Sequence, residues 1–117
     1  MAIPSGSGTE VLKRLTATGD MDGTPTILTV PSLHIYTILS ITICENNSAD
    51  EIIWLSMTDA DNSNRNIYFV RSQAVAPNET FIYNDKFVLA AGDTLKLQTG
   101  STSDMDVLIS FIDQDWS

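Results

Sequence analysis

Two segments of the chain alternate apolar and polar residues with a period of two, and this alternation limits the fold more than any other feature of the sequence. In Leu33 to Ile43 and again in Met105 to Ile112, the odd-numbered positions are mostly apolar. Successive side chains of a β-strand point to opposite faces, so each segment is predicted to be a strand with one face in the core. In the first segment the odd-numbered set, including Leu39, is expected on the core face.

Six shorter segments, bounded by turn-forming residues and rich in β-branched and aromatic residues, are also predicted to be strands. They are Thr26 to Val30, Ile52 to Thr58, Ile67 to Arg71, Thr80 to Tyr83, Phe87 to Leu89 and Thr94 to Gln98. About eight short strands at a spacing of roughly ten residues predict an all-β fold, an antiparallel β-sandwich of the jelly-roll or Greek-key type. The pattern leaves the order of the strands open.

Residues 1–19 are predicted to be an extended N-terminal arm or the first strand, and residues 20–117 the β-sandwich domain. The opening stretch MAIPSGSGTEVLKR is too polar for a signal peptide, and its Gly-Ser run lacks the lysine of a phosphate-binding loop. Residues 1–19 carry a net charge of +1, which leaves −10 on residues 20–117 because the whole chain carries −9. Such an arm can add a strand to a neighbouring subunit, or Val11 to Thr18 can be the first strand of its own sandwich.

The net charge of −9 argues against nucleic acid and anionic membrane surfaces as direct partners. No apolar run approaches the roughly 18 residues that a membrane-spanning helix needs. One cysteine cannot form an internal disulfide, and one cysteine with one histidine supplies few metal ligands. These observations predict a protein made and kept in the cytoplasm until it is assembled or released.

The candidate chemical sites are interpreted as structural. Asp59 to Asn64 begins like a calcium-binding loop but lacks the glycine and the final glutamate of such a loop. His34 and Cys44 lie too far apart along one strand to act as base and nucleophile. No catalytic residue, cofactor site or metal site is predicted, and the chain is not expected to be an enzyme. The carboxylates near the C-terminus are expected to form a solvated acidic rim: Asp104, Asp106, Asp113 and Asp115.

Aromatic residues indicate further places where a partner could bind. Trp54 and Tyr36 could stack on a sugar ring if they are exposed, although the simpler interpretation of Trp54 is a core residue. Trp116, one residue from the C-terminus, is expected either to dock against a partner or a strand edge or to be disordered. The residues predicted to bind a partner are Ile3, Val11, Leu12, Lys13, Arg14 and Trp116.

The segment from Val75 to Asp113 contains the turn PNET, the stretch AAGDTLKLQ and the alternating strand MDVLISFID. This order of turn and strand segments, together with the opening MAIPSGSGTEVLKR, resembles that of small structural proteins of tailed bacteriophages. The resemblance covers about a third of the chain plus fourteen N-terminal residues, and it identifies no active-site residues.

The resemblance implies a noncatalytic virion component. We expect most readily a capsid decoration (cement) protein on the capsid surface, made in the host cytoplasm, that stabilises the head by bridging neighbouring capsid subunits. Its partners would be the major capsid protein or other virion proteins, and it would form a homo-oligomer, with a trimer favoured. The alternative is a tail- or fibre-associated adaptor, or a carbohydrate- or receptor-binding β-sandwich module.

Overall fold

The computed structural model describes residues 8–23 and 26–117, and in them the chain forms two antiparallel β-sheets packed face to face. The strands are β1 (Thr9–Gly19), β2 (Thr26–Thr29), β3 (His34–Glu45), β4 (Glu51–Asp59), β5 (Arg65–Val75), β6 (Thr80–Tyr83), β7 (Phe87–Leu89), β8 (Thr94–Thr99) and β9 (Met105–Asp115). A short 3-10 turn, Ala60–Asn62, joins β4 to β5. The predicted all-β fold is confirmed, and β6 and β7 have the predicted bounds.

The chain passes between the two sheets in the jelly-roll order. Sheet A contains β1, β9, β3 and β6 in that order, with β7 also paired to β3. Sheet B contains β2, β8, β4 and β5. Because successive parts of the chain return to alternate sheets, strands that are distant in sequence become neighbours, as in a double Greek key. The strand order that the sequence left open is thus that of a jelly roll.

The core lies between the sheets and is almost entirely aliphatic. Its fully buried side chains come from both sheets, and burial of this apolar surface is the main stabilising contribution. They include Ile38, Ile41, Ile43, Ile53, Leu55, Leu89, Leu95, Leu97, Met105 and Ile109. The odd-numbered apolar residues of β9 are buried as the alternation predicted.

A β-bulge interrupts β3 at Leu39. Ile38 pairs with Phe111 and Ser40 pairs with Ser110, which are consecutive residues of β9. Leu39 therefore has no partner on β9, and two residues of β3 oppose one residue of β9 there.

The bulge changes which residues of β3 face the core. Before it, the even-numbered Tyr36 and Ile38 are buried, and after it the odd-numbered Ile41 and Ile43 are buried. The predicted core position of Leu39 is wrong, because the extra residue reverses the parity of the strand and leaves this side chain half-buried.

Hydrogen bonds attach the segment after β1 to the loop between β8 and β9. The Asp20 carboxylate accepts from the backbone N–H of Ser103 at 3.0 Å, and the backbone N–H of Met21 donates to the Ser103 hydroxyl at 2.9 Å. The Met21 side chain is 4 % exposed and belongs to the core cluster. The C-terminal end of β1 is thus fixed to the body of the sandwich.

Candidate interaction site along the first strand

β1 is a long, regular edge strand. It pairs with β9 of the same chain in one continuous register, from Thr9 opposite Asp115 to Gly19 opposite Met105. β1 is the terminal strand of sheet A, so its other backbone edge faces no strand within residues 8–23 and 26–117. An unpaired edge of eleven residues is a template onto which another strand can be added.

The other sheet edges are less suited to pairing. β2, β6 and β7 have only four, four and three residues. β5 has eleven residues, but its pairing with β4 shifts register twice, and Ser72 has a positive φ of 54°. Irregularities of this kind disfavour the addition of a further strand.

A groove of about 500 Å³ lies beside β1 on the outer side of sheet A. It is lined by Leu12, Lys13, Arg14, Leu39 and Ser110. Leu39 reaches the groove because of the bulge in β3, and the small Ser110 side chain leaves space between the larger residues. Leu12 is 72 % exposed, the highest value among the large apolar residues whose exposure the structure describes.

The inward side of β1 carries an ion pair that connects three strands of sheet A. The Lys13 ammonium lies 2.7 Å from one Asp113 oxygen, and the Nδ1 atom of His34 lies 2.7 Å from the other. The Asp113 side chain is only 3 % exposed, whereas that of Lys13 is 46 % exposed. The prediction of a solvated acidic rim is therefore wrong for Asp113, which occupies the next inward position of β9 after Phe111.

The electrostatics of this cluster favour a charged carboxylate. Burial raises the pKa of Asp113, but the hydrogen bonds from Lys13 and His34 outweigh this effect and hold the pKa below its ordinary value of 3.8. The pKa of Lys13 is raised, chiefly by its hydrogen bond to Asp113. Both groups are charged at neutral pH, so β1 is held to β9 by an ion pair as well as by the backbone ladder.

Trp116 lies against the beginning of β1. Its backbone N–H donates to the Leu33 carbonyl at 2.9 Å, and a Cβ atom placed on Gly8 would lie 2.9 Å from the indole Cδ2 atom. Only glycine allows this close approach of the chain to the ring. The indole Nε1 atom is buried and has no hydrogen-bond partner in the part of the chain that the structure describes.

The structure brings together some of the residues predicted to bind a partner. Leu12, Lys13 and Arg14 line one groove, and Arg14 forms no ion pair with any residue in 8–23 or 26–117. Val11 is 46 % exposed on the opposite side of β1. Trp116 lies on the strand edge at the start of β1, and Ile3 lies outside the described residues.

Three residues around β1 were not predicted to belong to this site. Asp113 and His34 hold Lys13 in place, and Leu39 forms a wall of the groove. The odd-numbered parity of β9 could have identified Asp113 as inward-facing, because it continues the buried series that ends at Phe111. No local pattern indicates the bulge that turns Leu39 outward.

Tyr36 and Trp54 do not form one binding platform. Tyr36 is 7 % exposed, and its ring lies 4.7 Å from that of Phe111 inside the sandwich. Trp54 is half-buried in β4 of the other sheet, where its ring would lie 3.7 Å from a Cβ atom placed on Gly100. The two rings belong to different sheets, so they cannot stack on one sugar together.

The described residues contain neither a cluster of metal ligands nor a membrane-spanning helix. No group of three or more histidine, cysteine, aspartate or glutamate side chains comes together there in a way that could hold a metal ion. Within the same residues, no helix has the length and hydropathy required to cross a membrane.

Comparison with known proteins gives similarities of structure. No family model and no curated protein matches the sequence. A protein of the Bacillus endospore appendages, which are disulfide-linked pili, superposes with a TM-score of 0.60 at 13% identity, over 100% of this chain and 97% of that one. A protein of the T13 IBDV viral particle superposes with a TM-score of 0.61 at 7% identity, over 98% of this chain and 33% of that one.

A protein of infectious bursal disease virus, Gx strain, gives a TM-score of 0.56 at 8% identity, over 95% of this chain and 34% of that one. The chain thus spans about a third of the viral proteins and nearly all of the appendage protein. Identities this low show a shared fold and nothing further.

Proposed function

We propose that the chain is a noncatalytic structural protein of a virion, a capsid decoration (cement) protein that bridges neighbouring capsid subunits at the capsid surface. The observation that carries this proposal is the regular, unpaired eleven-residue edge of β1. The fold that the chain shares with proteins of viral particles and the sequence cadence of small phage structural proteins support it. The partner would be the major capsid protein or another virion protein.

In this mechanism, a strand of a neighbouring subunit pairs with the free edge of β1. Backbone hydrogen bonds supply affinity, and the exposed side chains of Val11 and Leu12 on the two sides of β1 supply specificity. We further propose that residues 1–7, which include Ile3, contribute to the contact with the same neighbour. The added interface opposes the outward pressure of packaged DNA without any chemical reaction.

Removing residues 1–7 from the chain should weaken its stabilisation of the head. Residues 9–14 pair with β9, so a truncation that stops at residue 7 removes only the proposed contact of residues 1–7 with the neighbour and leaves β1 and its free edge complete. Virions that lack the protein should release DNA at a lower temperature than complete virions, and the purified full chain should restore the higher temperature. The truncated chain should restore it only in part, because the free edge of β1 is still present. DNA release is followed by the fluorescence of a dye that binds free DNA.

A variant in which residues 1–7 are replaced by glycine and serine is the matched control, because it keeps the length and removes the side chain of Ile3. It should restore heat resistance poorly. Full restoration by the truncated chain would show that residues 1–7 do not bridge subunits. Binding to tails and not to heads would favour the tail- or fibre-associated adaptor.

A second candidate function is a subunit of a fibrous appendage. It is favoured by one observation, the superposition on nearly the full length of a pilus protein. Cys44 can form one disulfide per chain, and linking subunits into a polymer requires two, so such a fibre would be held by noncovalent contacts. Electron microscopy of the purified chain should then show filaments, whereas compact particles alone would contradict this function.

A further inference from the structure

The outward-facing side of sheet A is unusually apolar. Its exposed or half-exposed apolar side chains, here called the outer apolar face, are Leu12, Leu39, Ile82, Val88, Leu108 and Ile112. The strand register places Leu12 beside Ile112, and Leu108 and Ile82 on either side of Thr42. The face therefore extends across every strand of the sheet.

Other surfaces of the sandwich are more polar. Four of the nine exposed large apolar residues in the described part of the chain belong to the outer apolar face, namely Leu12, Ile82, Val88 and Leu108. On the outer side of sheet B, Ile52, the half-buried Trp54 and Tyr68 lie beside polar residues, namely Ser56, Lys96 and Gln98. A contiguous apolar patch on one side of a protein is typical of an interaction surface.

We propose that a second copy of the chain packs its own outer apolar face against this one, with a two-fold axis near Leu108. The length of β9, eleven residues at about 3.3 Å each, multiplied by the width of four strands at about 4.8 Å each, gives a flat area of roughly 700 Å² per copy. The protruding side chains add to this area. A standard interface buries about 800 Å² per partner. The face is therefore large enough for a stable dimer.

The distribution of charge favours a second copy as the occupant. Each chain carries −9, yet the charged groups nearest the centre of the face are one positive and one negative, Arg14 and Asp106, so two copies can approach there with little repulsion. Arg14 is level with Ser110, two residues from Leu108 on one side, and Asp106 lies two residues from Leu108 on the other. A two-fold axis at Leu108 brings Arg14 of each copy over Asp106 of the other, which is a self-complementary arrangement.

This inference goes beyond the proposed function, because it concerns contact between copies and not the place of the protein in a virion. It is tested on the purified full chain by analytical ultracentrifugation from nanomolar to high micromolar concentration. We expect a monomer–dimer equilibrium. Leu108→Asp should raise the dissociation constant about 30-fold or more, because it places a carboxylate at the centre of an apolar interface.

Ile52→Asp is the matched control. Ile52 is 43 % exposed and Leu108 is 40 % exposed, but Ile52 lies on the outer side of sheet B. This substitution should change the dissociation constant by less than about threefold. A monomer at all concentrations, a trimer, or equal effects of the two substitutions would overturn the proposal.

The single cysteine of the chain gives an independent measurement. Cys44 lies opposite Asp106 in the pairing of β3 with β9, on the outer side of sheet A, so the second copy should cover its side chain. Its reaction with a thiol reagent should become slower as the wild-type chain is concentrated, and should stay fast at all concentrations in Leu108→Asp. A reaction rate that is independent of concentration in the wild type would contradict the proposed contact.

If Leu108→Asp fails to fold, a charge exchange tests the same interface. Arg14→Asp alone should weaken the dimer about tenfold through repulsion of Asp106, and the double variant Arg14→Asp with Asp106→Arg should recover most of the affinity. A double variant as weak as the single one would overturn the proposed axis.

Discussion

Deleting Thr42 should cost this protein a large part of its folding stability, whereas deleting Leu39, three residues earlier in the same strand, should cost little. Ile38 and Ser40 pair with consecutive residues of β9. Without Leu39 the strand becomes regular, and Ile38 and Ile41 keep their buried positions. We expect a loss of about 1 kcal/mol, because only a partly exposed side chain is removed.

Without Thr42, the strand can keep Ile43 in the core only by losing the bulge. In that arrangement Ser40 enters the core at the place of Ile41, which moves to the outer side. Loss of a buried isoleucine costs about 3 kcal/mol, and burial of a hydroxyl without a partner costs about 1–3 kcal/mol more. The sum of about 4–6 kcal/mol is a large part of the roughly 5–15 kcal/mol that stabilises a typical domain.

Urea denaturation followed by tryptophan fluorescence measures both effects, since Trp54 and Trp116 lie in different parts of the sandwich. The variant without Leu39 should retain a single cooperative transition near that of the wild type. It also loses one wall of the groove, so weaker self-association of this folded variant is expected. Equal destabilisation by the two deletions would mean that the bulge is not at Leu39.

Replacing Asp113 by alanine should destabilise the protein by about 2–3 kcal/mol. Removal of one partner of a buried ion pair costs about 3–5 kcal/mol, and we lower this range because Lys13 is half exposed and partly screened by solvent. The substitution leaves His34 and Lys13 without their shared acceptor. Asp85→Ala is the control, because Asp85 is an exposed carboxylate in the loop between β6 and β7, and it should change stability by less than about 0.5 kcal/mol.

The same carboxylate makes stability depend on pH. The pKa of Asp113 is lower in the folded state than its ordinary value of 3.8, so the folded state binds its proton less readily than the unfolded chain. Its contribution is fully present above about pH 4 and is lost as the pH falls through the lowered pKa. Asp113→Asn should therefore have a shallower loss of stability below about pH 4 than the wild type.

Part of the acid dependence should remain in that variant, because the pKa values of Asp20 and Asp106 are also lowered, each chiefly by a hydrogen bond. Urea midpoints measured between pH 2 and pH 7 compare the two proteins. Parallel curves for the wild type and Asp113→Asn would show that Lys13 and His34 do not stabilise the charged carboxylate. The comparison thus tests the electrostatic attachment of β1 separately from its backbone pairing.

Only part of the candidate site follows from local sequence patterns. The sequence predicts that Leu12, Lys13 and Arg14 bind a partner because they belong to a basic, strand-forming arm on an acidic body, and in the structure they line the groove together. The outward position of Leu39 and the ion pair of Asp113 with Lys13 do not follow from any local pattern. The position of Leu39 depends on the bulge in β3, and the ion pair of Asp113 depends on Lys13, which is 100 residues away in the sequence.

The sequence by itself determined that this chain is all-β, that its strands bury one face, and where most strands lie, because alternation and turn-forming residues are properties of neighbouring residues. The tertiary structure alone decided the rest. Pairing of β1 with β9, the reversal of parity at Leu39, the ion pair of Asp113 with Lys13 and the exposed apolar side of sheet A all depend on strands that are remote in sequence. These contacts form only when remote strands pair in the correct register, so no short segment of the sequence determines their free energy.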